Sequence, residues 1–213
     1  MLEDLRGELI EIFQRRNLFV HNNGIVNSTY LKNVPEKYIQ SKRIKKDCGL
    51  QASQKYLDRA METVHLFGFM LMQLCWRKWK KNNHEAADRV FWDFTYDTLT
   101  QERYEFTKRV ACSASAIKIA RPFRRLIIIN QAIASRELGE EARVRGLVKE
   151  CEWMPMSIDV QIAIHTLRRE YNRVYSLLKE AAVSGDIKHI SKDWPLFRPI
   201  NHEPQFIQAF EQD

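Results

Sequence analysis

Glycine and proline are scarce in this sequence, seven and six in 213 residues. So few chain breakers argue against a loop-rich or all-β protein and leave room for long helices. Cysteine is sparse too. Cys48, Cys75, Cys112 and Cys151 stand apart, no Cys-x2-Cys pair occurs, and the six histidines are dispersed. That pattern does not make a zinc site, so no metal and no cofactor are expected. Apolar runs long enough to cross a bilayer are missing; the richest, Leu66 to Trp76, is interrupted by Gly68 and Gln73. The first residues lack the basic-then-apolar profile of a signal peptide. With the scattered cysteines, this points to a reducing cytoplasm and no membrane partner. A glycine-rich phosphate loop and a paired-carboxylate motif are also absent, so nothing supports a nucleotidyl-transfer or sugar-active enzyme.

What is present suits a folded helical chain. Hydrophobic residues make up 45% and charged residues 29%, with a formal net charge of +7. The length allows one large domain or two small ones. The positive balance is compatible with a polyanionic partner such as RNA.

The opening stretch reads as a helix over residues 2–21. Its apolar stripe is Leu5, Leu9, Ile12, Phe13 and Val20, the i, i+3, i+4 spacing of a core-facing segment. Arg16 falls within that stripe, where a cation is costly unless an anion meets it. Asn17 and His21 are four apart and share an edge of the same face. Arg15 lies off the face, a position that predicts solvation. Asn22-Asn23-Gly24 is a helix-stop signal. Residues 25–31 predict a short semi-extended piece, with Tyr30 and Leu31 packing back on the domain, and Asn33-Val34-Pro35 breaks any helix there. Residues 36–52 read as an irregular connection. Within it Lys42, Arg43, Lys45 and Lys46 form either a solvated loop or a phosphate-contacting edge. Ser53 is a plausible N-cap for a long helix over 54–80, whose stripe is Leu57, Ala60, Met61, Val64, Phe67, Gly68, Leu71, Leu74 and Cys75. Leu66, Phe69, Met70 and Met72 widen the apolar surface almost all the way round.

From Arg16 to Leu31 the chain reads Arg-Asn-x3-His-Asn-x-Gly-x-Val-Asn-x2-Tyr-Leu. This resembles the signature of the HEPN superfamily, an Arg, a polar residue, three variable residues and a His. The resemblance covers about the first 80 residues and is closest to the subgroup whose motif continues through His-Asn-x-Gly to a Tyr-Leu pair. It implies RNA cleavage without a metal, leaving 2′,3′-cyclic phosphate ends, with Arg16, Asn17 and His21 as the catalytic group. It also implies a homodimer, because such sites assemble from two copies of the motif, and a setting in toxin–antitoxin systems, phage defence or RNA processing. RNA contacts are then expected from Arg15, Asn22, Lys42, Arg43, Lys45 and Lys46. The family domain has helices upstream of its motif helix, so the resemblance places those helices outside this sequence or on another chain.

The chemistry is consistent with the residue types. An imidazole can take and give a proton near neutral pH. A guanidinium fork can hold a phosphate and offset charge as it builds.

Lys80-Lys81-Asn82-Asn83-His84 reads as a domain boundary between 1–81 and 84–213. Beyond it the pattern predicts helices in pairs: 85–98 with 102–115, 121–138 with 140–153, and 158–169 with 172–183. At an offset of 31 residues Ile133 meets Ile164, Leu147 meets Leu178 and Cys151 meets Ala182. That period and the helix-turn-helix unit resemble a degenerate tetratricopeptide-type array in which most of the usual consensus residues are missing. Trp194 to Pro199 and a last helix over 206–211 would cap it. The expected fold class is therefore all-α, a partial HEPN-type bundle followed by stacked repeats. Two functions follow: a metal-independent endoribonuclease, or a non-catalytic scaffold binding a protein or RNA partner through the repeats.

Overall fold

The first helix is fixed by its two ends. In the computed structural model α1 spans Leu2–Asn22, with Glu3 and Asp4 in its first turn, where the helix dipole favours acids. It stops where Asn23 and Gly24 take φ of 45° and 75°. The Gly24 N–H then donates back to the Leu18 carbonyl at 3.0 Å, closing the helix end. A Cβ on Gly24 would lie 3.0 Å from the Phe19 ring and 3.2 Å from the Leu50 carbonyl oxygen. The structure describes residues 2–40, 43–151 and 156–211.

The segment expected to be semi-extended and irregular contains two short helices, α2 (Ser28–Asn33) and α3 (Glu36–Gln40). Asn27 caps α2, its side-chain oxygen accepting the Tyr30 N–H at 2.9 Å. Val34, held extended before Pro35, ends α2. The long helix α4 spans Gln54–Trp79, and Ser53 caps it through the Tyr56 N–H at 3.2 Å.

The chain divides into two compact units, residues 1–79 and 80–213. In the first, α1 packs on α2 and α4, and Leu18, Val26, Tyr30, Val34 and Ile44 form a buried cluster. In the second, α5 (His84–Thr100) pairs with α6 (Tyr104–Ser113), α7 (Arg121–Glu137) with α8 (Glu141–Cys151), and α9 (Ile158–Leu167) with α10 (Tyr171–Ser184). Successive pairs stack, α5 on α7 and α7 on α9, around Ile129, Ile133, Val144, Ile162, Leu178 and their neighbours. Glu102, Gly139, Arg169 and Gly185 turn the corners at positive φ. Residue 153, expected to end the fourth of these helices, lies outside the described residues.

The aromatic tail packs on the last pair. Pro195–Phe197 sits against α9 and the final helix α11 (Pro204–Phe210) against α10. Phe197 is fully buried, with ring centroids 5.0 Å from Phe206. The stack also carries a buried polar seam that hydrophobic spacing did not reveal: Asn130 donates to Thr95, and Thr107 to Thr98, each at 3.0 Å. Among the described residues there is no strand beyond one isolated bridge, Ile25 to Gly49. No described helix is long and apolar enough to cross a membrane.

Candidate functional site

A helix advances about 100° per residue, so Phe13, Arg16, Asn17, Val20 and His21 fall within about 140° of one another around α1. That sector is open. Phe13 is 57% and Val20 55% exposed, and Arg16, Asn17 and His21 are exposed as well. The expected inward stripe therefore ends halfway. Leu5 and Leu9 are buried, but past Ile12 the same side of the helix faces outward. Arg16 needs no buried counter-ion there. One of its Nη1 hydrogens is donated to Asn17 Oδ1 at 3.3 Å, and His21 makes no hydrogen bond among the described residues.

The opposite side of α1 holds what the sequence placed wrongly. Arg15, expected in solvent and proposed to touch RNA, is 5% exposed. Its Nε donates to Glu11 Oε1 at 2.7 Å and its Nη1 to the Gln51 carbonyl at 3.0 Å. Nη2 comes within 2.6 Å of the same Glu11 oxygen without the angle of a hydrogen bond. The guanidinium lies 4.2 Å over the Tyr56 ring. Glu11, itself buried, also accepts the hydroxyls of Tyr30 and Tyr56, each at 2.9 Å. Burial works against the charge on Arg15, but the Glu11 carboxylate beside it holds the guanidinium above its ordinary value. Burial, reinforced by the negative Glu11, pushes both tyrosine hydroxyls well above theirs. This four-residue network joins α1 to α2, α4 and the chain before α4, and fixes which side of α1 faces out. A Glu and an Arg four apart were the only signal for it in the sequence.

The remaining expected contacts divide. Asn22 is half-buried and its Nδ2 donates to the Ile25 carbonyl at 2.6 Å, so it closes the turn after His21. Arg43, Lys45 and Lys46 are exposed. Lys42 lies outside the described residues. The basic turn is stitched to the segment that follows His21: Val26 N–H to the Cys48 carbonyl, Asp47 N–H to the Val26 carbonyl and Leu50 N–H to the Gly24 carbonyl, each 2.9 Å. Buried Ile44 anchors it. Arg43, Lys45 and Lys46 thus belong to the same end of the unit as His21.

Beside the open sector lies an apolar groove of about 420 Å³ between α1 and α4, lined by Leu9, Ile10, Phe13, Phe67, Leu71 and Leu74 among others. Much of the apolar stripe read along α4 is exposed: Leu57, Met61, Val64, Phe67, Leu71 and Leu74 all exceed 40%. The helix buries its other side instead, through Ala60, Thr63, Leu66, Phe69, Met70 and Gln73. Glu8 on α1 selects that side, receiving Thr63 Oγ1 at 2.8 Å and Arg59 Nη2 at 2.9 Å.

No group of three or more His, Cys, Asp or Glu among the described residues could hold a metal ion. No protein-family model, curated protein or solved structure matches this chain.

Proposed function

We propose that the chain is a metal-independent endoribonuclease of HEPN type whose site forms when two copies pair. The observation that carries this reading is the open face of α1. It presents a guanidinium, an amide and an imidazole together, rimmed by exposed Phe13 and Val20. A structural ion pair would instead leave Arg16 buried with a carboxylate, the arrangement its neighbour Arg15 has.

In this reading Arg16 grips the scissile phosphate and offsets charge on its oxygens. His21 of one copy takes the proton from the 2′-hydroxyl, whose oxygen bonds to phosphorus as the bond to the 5′-oxygen breaks. A protonated His21 from the other copy gives the leaving 5′-oxygen its proton. The products are a 2′,3′-cyclic phosphate and a 5′-hydroxyl. Asn17 orients Arg16. Arg43, Lys45 and Lys46 guide the flanking phosphates, as exposed cations on a pinned turn do. The repeat-like second unit recruits a partner or substrate.

The test is cleavage of a labelled single-stranded RNA by the whole chain. Arg16→Ala and His21→Ala should each lower the rate at least about a hundredfold, the scale of a lost acid–base group. Because both side chains are exposed, melting temperature should hold. Undiminished cleavage by either variant, or no cleavage by the wild-type dimer, removes the proposal.

A further inference from the structure

The second unit has a groove of about 400 Å³ where α8 meets the α9–α10 turn. Its floor is aliphatic: Val144, Val148 and Leu167, all buried. Its rim is charged, with Arg145, Lys149, Arg168 and Arg169 against Glu141 and Glu170. Three of these charges are already matched within the fold. Arg169 pairs with Glu141, and Glu170 meets Nδ1 of His165. Arg145 and Lys149 are different. They stand one helical turn apart on α8, exposed, with no hydrogen bond or ion pair among the described residues. Two exposed cations with no described partner, beside an aliphatic floor, suit an anion that also brings an apolar side chain.

We infer that this groove docks an acidic segment of a protein partner, two carboxylates one helical turn apart with an aliphatic side chain between them. The carboxylates meet Arg145 and Lys149, and the aliphatic group rests on Val144, Val148 and Leu167. RNA fits less well. Single strands are held by stacking bases on aromatic rings, and none of the described residues that line the groove is aromatic. The inference shares no residue with the Arg16–His21 site, so either can fail alone.

The experiment is fluorescence anisotropy on the full chain with three labelled probes. One is a helical peptide carrying two glutamates four residues apart with leucine between them. The second has lysines in place of the glutamates. The third is a uridine oligonucleotide. The wild type should bind the first peptide and not the second. Arg145→Glu combined with Lys149→Glu should weaken the first peptide by about tenfold or more and gain the second, a reversal that charge complementarity requires. Circular dichroism should be unchanged, since neither side chain is buried. Equal binding of both peptides, binding of neither, or an acidic-peptide affinity that survives the double reversal would overturn the inference. So would an oligonucleotide that displaces the peptide and loses its own binding in the double variant; that result assigns the groove to RNA.

Discussion

Arg15 and Arg16 are adjacent, yet the helix turns about 100° between them and their environments differ completely. Removing Arg15 strands Glu11, a buried carboxylate that keeps only two tyrosine hydroxyls. Losing one partner of a buried pair costs about 3–5 kcal/mol. Arg16 makes one long contact, to its neighbour Asn17, and its removal should cost no more than about 0.5 kcal/mol, as for surface substitutions generally. Thermal melts of Arg15→Met and Arg16→Met should therefore separate by many degrees, with Arg15→Met the unstable one. Equal melting temperatures would show that the Glu11 network does not anchor α1. The sequence hid this assignment for a physical reason. Both arginines flank apolar positions, and spacing alone does not say where the partner carboxylate points. Glu11, four residues before Arg15, held the answer, but an i, i+4 acid–base pair is usually a solvated surface pair.

At the scale of elements, α4 was legible in extent and illegible in rotation. Ser53 marked its start, and the long unbroken run to Trp79 marked its length. Its face was hidden because apolar residues surround it, so hydrophobic periodicity had no minimum to exploit. Polar contacts decide instead, with Thr63 and Arg59 turned toward Glu8. The consequence is an exposed row at positions 57, 61, 64, 68 and 71, spaced alternately by four and three, with half-buried Cys75 next in the series. That is the seam of a helix awaiting another. With Phe67, Leu74, Phe13 and Val20, exposed as well, the row forms a continuous apolar surface of the kind an interface of roughly 800 Å² per partner covers. If the proposed pairing uses this surface, Val64→Glu with Leu71→Glu should convert the proposed dimer to a monomer in sedimentation velocity and abolish the proposed RNA cleavage with it. The monomer should keep its helicity, since both side chains are already more than 40% exposed. Persistence of the dimer in that variant would place the pairing surface elsewhere. The short helices α2 and α3 were missed for another reason. Each is under two turns, and a cap such as Asn27 is too common in loops to identify a helix without its hydrogen bond to Tyr30.

Across the whole molecule, the punctuation of the second half was its clearest text. Gly139 and Gly185 sit at positive φ where helices end, and helix pairs fall close to where turn residues predicted them. Of the pairs at the 31-residue offset, Ile133 and Ile164 are both buried, while Leu147 opposite Leu178 and Ala182 opposite Cys151 are half-buried. The sequence marked a boundary at residues 80–84 but did not show how differently the two sides are held together. The second unit closes around its own apolar cluster, from Leu99 to Ala209, while the first relies on a smaller cluster and the Glu11 network. Each unit has an apolar cluster of its own, and the expectation is that damage to the second cluster stays local. Phe197 has no exposed surface and touches the Trp194, Phe206 and Phe210 rings. Its replacement by alanine should cost about 3–5 kcal/mol. In hydrogen exchange of the full chain, Phe197→Ala should strip protection from α7, α9 and α10 while the amides of α1 and α4 exchange at the wild-type rate. A uniform loss of protection in both units would mean that the chain unfolds as one block, and that the α1 face depends on the second unit for its order.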